Sequence, residues 1–229
     1  MSKEKPILFK DDMVRAILEG RKTQTRRVMK PQPRIESNGW FHWDGHRPNS
    51  EYGAFATSSP EKETINLFVG SACPYGQPGD RLWVRETHHV PGGYLEAELI
   101  EEIRNGVSSP ESLGVTYRAD APSLKPCDGG WTPSIHMPRW ASRITLEIID
   151  VRVERLQDIS GEDSASEGAT GPIGSPRAYG VVTKQFARDQ FMRLWESING
   201  PDSWQVNPWV WVIEFERIDR EGEHAIAVE

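Results

Sequence analysis

The sequence predicts an α+β fold, a β-rich barrel with flanking helices and long surface connections, on three observations. Hydrophobic content is only 37%, while 17 prolines and 20 glycines in 229 residues ask for many turns rather than a helical bundle. Strand-like alternation recurs in separated segments, the longest running from Arg143 to Leu156. That segment also changes phase. Ile144, Leu146 and Ile148 share one face, and Ile149, Val151 and Val153 take up the next. A β-bulge is a more economical account than two strands, and a bulge bends a sheet as a small barrel requires. The length suits one elaborated domain over residues 1–229, with a core large enough to fold alone.

In chain order, Pro6 to Phe9 reads as a strand. Asp11 stands where an N-cap would, ahead of Met13, Val14, Ile17 and Leu18 at helical spacing, and Gly20 supplies a left-handed stop. Residues 31–72 are polar and rich in Gly, Pro and Ser, and read as an insertion containing a short strand, Ile65 to Val69. Asp80 to Thr87 alternates as a strand. Residues 91–138 read as a second insertion, with a helix from Tyr94 to Arg104 and then a proline-spaced loop. After the long strand, Ser160 and Asp163 resemble a capping box opening a helix that carries Glu167. Gly171 to Gly180 reads as a loop, Gln185 to Ile198 as a helix ended by Asn199 and Gly200, and Trp209 to Phe215 as a final alternating strand.

The most informative stretch is Gly20-Arg21-Lys22-Thr23-Gln24-Thr25-Arg26-Arg27. Seven basic residues (Arg15, Arg21, Lys22, Arg26, Arg27, Lys30 and Arg34) fall between Val14 and Arg34 against the single acid Glu19, in a chain of net charge -7. Positive charge concentrated in this way faces something negative, and hydroxyls beside it suit an anion or a nucleotide. The plainer reading is that lysine and arginine after a helix satisfy its last carbonyls and face water.

The same stretch resembles the ASCH domain, a small β-barrel of the PUA-like superfamily with a G-x-K-x-x-T-x-R signature, which Gly20, Lys22, Thr25 and Arg27 fit. Gly79-Asp80-Arg81-Leu82-Trp83-Val84 is similar to the family's G-D-x-L-x-V strand, and Leu156 to Gly168 to its strand-then-helix passage ending in a glutamate, here Glu167. The pieces follow the family's order over about half of the chain, whose general style is similar to ASCH proteins of phages and prophages. The resemblance implies an amidohydrolase that removes acetyl from N4-acetylated cytosine nucleosides, with Lys22, Thr25 and Glu167 as catalytic residues. Lys22 as a neutral amine would take the Thr25 proton during attack on the amide carbonyl, and Glu167 would orient the amine or protonate the leaving nitrogen. Arg21, Arg26 and Arg27 would depress the lysine pKa or hold a phosphate or oxyanion, with Glu86 a second carboxylate candidate. The two insertions depart from the minimal domain and would reshape the pocket.

Other classes find less support. Cys73 and Cys127 form no C-x-x-C, so neither a disulfide framework nor a zinc knuckle is expected. His88 and His89 are adjacent on a strand and would point to opposite faces, which leaves no metal site and no cofactor expected. No phosphate-binding or dinucleotide glycine loop occurs, and Gly171-Pro172-Ile173-Gly174 is too short to be one. No apolar leader or membrane-length run is seen, so a cytoplasmic protein without membrane partners is expected.

Two alternatives to the hydrolase stay open. One is a non-catalytic module for single-stranded or modified RNA, using the Arg21 to Arg34 patch on phosphates and Trp40, Trp43 or Trp131 to stack on bases. The other is a phage accessory protein that binds a host protein through its insertions. Net charge -7 suits a nucleoside better than an extended nucleic acid.

Overall fold

The computed structural model describes residues 3–37, 40–44, 55–57, 72–93, 95–126, 130–177 and 180–218. In chain order these form β1 (Glu4–Leu8), α1 (Asp11–Leu18), β2 (Gln24–Val28), β3 (Arg34–Ile35), β4 (Phe41–Trp43), β5 (Phe55–Thr57), β6 (Arg81–Arg85), β7 (His88–His89), α2 (Ala97–Arg104) and β8 (Thr116–Tyr117). There follow β9 (Thr145–Arg155), α3 (Gly161–Ser166), β10 (Pro176–Arg177), β11 (Gly180–Val181), α4 (Lys184–Asn199) and β12 (Trp209–Ile218). Among the described residues no helix is long and apolar enough to cross a membrane.

The main sheet is mixed and five-stranded, in the order β1-β6-β9-β12-β2, with β1 parallel to β6 and every other pair antiparallel. β12 is an interior strand, between β9 and β2, and apolar on both faces. Trp211, Ile213 and Phe215 enter one core with Ile144, Leu146 and Ile148 of the β9 region and with Met13, Val14 and Ile17 of α1. Val210 and Val212 enter another, covered by Phe191 and Trp195 of α4 and by Trp204. Burying each such side chain is worth about 1.5–3 kcal/mol, so this strand ties the two layers together.

The phase change in β9 is a bulge. Glu214 pairs with Asp150 and Phe215 with Ile148, which leaves Ile149 as the extra residue, 45% exposed while Ile148 is buried. One continuous strand therefore carries Leu146 and Ile148 before the bulge, and Val151 and Val153 after it, into the same core.

The expected barrel does not close among the described residues. β1 and β2 are the two edges of the sheet and do not pair with each other. Closure needs a hydrogen-bond ladder between them. The chain instead leaves β1 through α1, and the residues before β2 are tied to the end of α3: Lys22 forms an isolated bridge with Glu167, and Thr23 N donates to Ser166 O at 2.9 Å. A single side-chain bond crosses the remaining gap, from Arg27 Nη2 to Leu8 O at 2.7 Å.

Local corrections follow the same tertiary logic. The residue flanking α1 is Lys10, with no side-chain cap, and Asp11 is helical and bonds Arg118 Nε at 2.6 Å. Glu167 lies one residue past α3, at its C-cap, while Ser160 caps the helix by accepting from Asp163 N. Residues 31–72 carry the antiparallel sheet β3-β4-β5, in which Phe41 and Trp43 meet Trp209 and Trp211 edge-on at 5.2 and 5.6 Å. The strand expected at Ile65 to Val69 lies outside the described residues, as do Tyr94 and Cys127. The helix in 91–138 spans Ala97–Arg104, and Gly171 to Gly180 contains β10 and the start of its partner β11.

Candidate functional site

Gly20, at φ +70, ends α1 in the left-handed region, and the N–H groups of Arg21 and Lys22 both return to Ala16 O at 2.8 and 2.9 Å. That turn aims the Lys22 side chain inward. From Gln24 the chain runs as edge strand β2, so Thr25 and Arg27 share one face, and Gln24 and Arg26 the other. The guanidinium of Arg27 stacks on Phe9 at 5.1 Å, and that of Arg26 lies 6.0 Å from the Phe191 ring.

Glu167 arrives from α3. The Ser160 cap fixes the start of this short helix, and Gly168 at φ +83 lets its end pass close to α1 and β2. A Cβ at Gly168 would lie 2.8 Å from Ala16 Cβ and 2.9 Å from Lys22 Cβ, so only glycine fits there. The approach brings three buried groups into contact. Lys22 Nζ donates to Glu167 Oε2 at 2.9 Å, and to Glu167 O and Gln24 O at 2.8 Å each. Arg26 donates to the other Glu167 oxygen, Oε1, at 3.1 Å, to Glu154 at 3.1 Å and to Asp163 at 3.4 Å. Both oxygens of Glu167 are thus acceptors, as in an ionised carboxylate.

Burial pulls the Lys22 pKa below its usual 10.5. The Glu167 charge and hydrogen bond oppose this shift, and the Arg27 and Arg26 charges add to it. Burial likewise lowers the pKa of Arg27. Unlike Arg26, Arg27 has no carboxylate partner among the described residues; the Nε of each is buried without an acceptor. Thr25 is 4% exposed as a residue, and among the described residues its hydroxyl makes no hydrogen bond.

Lys22, Thr25, Arg26, Arg27 and Glu167 all line one cavity of ≈ 640 Å³, between the end of β1, β2 and α4. The cavity lies at the gap between the two sheet edges. Phe9 and Tyr75 supply aromatic walls, and Ser134 and Ile135 bring the 91–138 segment to its rim.

Arg21 and Glu86 are not in this group. Arg21 turns away to Glu19, at 2.6 Å from Nε, and to the carbonyls of Gly168 and Thr170. Glu86 is buried against Arg143, which donates to its two oxygens at 2.9 and 3.1 Å. Burial pushes its carboxyl up to about 7 against the pull of Arg143. Trp43 is 3% exposed and donates Nε1 to Pro31 O, Trp131 donates to Leu124 O, and Trp40 is 41% exposed; none lines the cavity.

Sequence reasoning missed Glu154, Asp163 as an ion-pair partner, Phe9 and Tyr75. Glu154 carried no local signal: alternation puts it on the face opposite Val151 and Val153, and its burial there is explained by its partners Arg26 and Arg152. Among the described residues no group of three or more His, Cys, Asp or Glu side chains is arranged to hold a metal ion. Comparison with family models, with curated proteins and with solved structures finds no match in any of the three.

Proposed function

We propose that this cavity belongs to a nucleobase-handling amidohydrolase that removes acetyl from an N4-acetylated cytosine nucleoside. The observation that carries the reading is a threonine hydroxyl with no hydrogen bond among the described residues, in the same cavity as a buried lysine whose pKa is depressed and whose position is fixed by a carboxylate.

Above its pKa Lys22 Nζ gives up one of its three donated hydrogen bonds, and as Thr25 Oγ1 attacks the acetyl carbonyl its proton passes to the lone pair so freed. The resulting ammonium faces the developing oxyanion and then gives the proton to N4 as the C–N bond breaks. The cytosine nucleoside leaves and the acetyl remains as an ester on Thr25. Water attacks that ester, Lys22 accepts its proton and returns it to Thr25 Oγ1, and acetate departs. Glu167, engaged by both Lys22 and Arg26, positions the amine and is not the proton donor. Phe9 and Tyr75 offer faces to the base.

The test is release of cytidine from N4-acetylcytidine, followed by chromatography across pH. Turnover is expected to rise with pH through the Lys22 pKa, with its midpoint below 10.5, and to fall by at least about 10³-fold in Lys22→Ala and Thr25→Ala, within the range seen for nucleophile and base removal. No turnover by the wild type would reject the reading and favour a non-catalytic nucleobase or RNA pocket.

A further inference from the structure

We infer that Lys10, Arg27 and Lys30 form a phosphate subsite at the mouth of this cavity, so that its ligand is a nucleoside monophosphate rather than a free nucleoside. The identity of the base rests on the hydrolase reading; the phosphate subsite does not.

The charges lining the cavity are unequal. Five cations, Lys10, Lys22, Arg26, Arg27 and Lys30, face one carboxylate, Glu167, in a chain of net charge -7. The inner pair is neutralised, since Lys22 and Arg26 share Glu167 and Arg26 also meets Glu154 and Asp163. The outer three have no carboxylate among the described residues. Lys10 Nζ reaches only Ser197 O at 3.3 Å, Arg27 donates one bond to Leu8 O at 2.7 Å, and Lys30 is exposed and makes none.

Arg27 is the centre of the subsite. Its Nε, like that of Arg26, is buried without an acceptor, and unlike Arg26 it has no carboxylate to offset its charge among the described residues. A guanidinium presents its donors as a fork matched to two oxygens of a phosphate, and Phe9 beneath holds the plane in place. Burial weakens the hold of Arg27 on its charge, and an anion would restore it. Thr25 and Arg27 lie two residues apart on one strand face, about 7 Å along it. That spacing leaves room for a sugar between the reacting base and the phosphate. Three unpaired cations at one opening suit a single phosphate, whereas an extended backbone needs a broader basic surface than a chain of net charge -7 favours.

Calorimetric titration of wild type, Arg27→Gln and Lys30→Ala with cytidine, cytidine monophosphate and an eight-residue oligocytidylate tests this without requiring turnover. The monophosphate is expected to bind at least about 10-fold tighter than cytidine at low salt, with the ratio shrinking as salt rises. Each substitution should move that ratio toward 1. Should Arg27→Gln fail to fold, Lys30→Ala reads the same ratio from an exposed side chain. Equal affinities for cytidine and its monophosphate, or binding of neither, would overturn the subsite, and tighter binding of the oligonucleotide per site would overturn the mononucleotide class. Preference for the monophosphate without hydrolysis of any acetylated form would leave the subsite standing and remove the hydrolase; hydrolysis of N4-acetylcytidine with equal affinities would do the reverse.

Discussion

Lys22 and Glu86 are both buried ionisable side chains, and burial pushes each toward its neutral form. Their surroundings give them different consequences. Lys22 opens onto a cavity, where a neutral amine can take up a proton from a ligand or hydroxyl. Glu86 is enclosed with Arg143, so its titration acts on stability alone. Its carboxyl holds a proton to about 7 in the fold and to the usual 4.5 when unfolded. Between those values the folded state binds more protons, so stability is fully present below pH 4.5 and is lost as pH rises through 7. The loss is on the order of 3 kcal/mol, at 1.36 kcal/mol per pH unit. Denaturant titrations from pH 4.5 to 8 should show this decline in the wild type and a flatter profile in Glu86→Gln; identical profiles would place the protonation elsewhere. The residue types at 22, 25 and 27 were legible as a site because lysine, threonine and arginine recur there at short spacing. Arg21 and Glu86 were not separable from them, because direction off a turn and the partner across a sheet are not local properties.

At the scale of elements, the bulge at Ile149 and the Ser160 cap were readable in advance, since both are written in residues adjacent to the feature. The role of Asp11 was not. Its carboxylate is taken by Arg118, 107 residues away, so the local cap never forms. The junction of α1, β2 and α3 at Gly168 is equally non-local and gives a sharp test. Gly168 and Gly174 have the same φ of +83, but a Cβ at Gly174 would meet nothing within 4 Å. Gly174→Ala should therefore cost only the left-handed backbone term, about 1–2 kcal/mol. Gly168→Ala should cost about 1–3 kcal/mol more, as overpacking does, and should also displace Lys22 from Glu167. Urea midpoints of the two variants measure the difference, and equal midpoints would mean that the close approach is relaxed in solution.

At the scale of the whole molecule, the five-stranded sheet stays open, with β1 and β2 as its edges. Amide hydrogen exchange distinguishes this from a closed barrel. Val210 to Glu214 of β12 are flanked by β9 and β2 and should exchange slowest, at the rate set by global unfolding. The outward amides of β1 and β2 should exchange orders of magnitude faster; uniform protection along both strands would indicate closure. The charge distribution belongs to this scale as well. In an acidic chain, Lys10, Arg27 and Lys30 stand together at the open edge with no carboxylate partner among the described residues, which focuses the field on the cavity.

The sequence by itself determined the periodic elements, the β-bulge, the helix stop at Gly20 and the concentration of basic residues before Arg34, because each depends on residues within a turn or two of one another. Only the tertiary structure decided that, among the described residues, the sheet stays open and Arg27 is left without a carboxylate, and that Glu167 meets Lys22 and Arg26 across more than 140 positions. Those outcomes turn on which distant groups satisfy a buried charge or a strand edge. That competition is resolved by packing, and no window of sequence contains all of its participants.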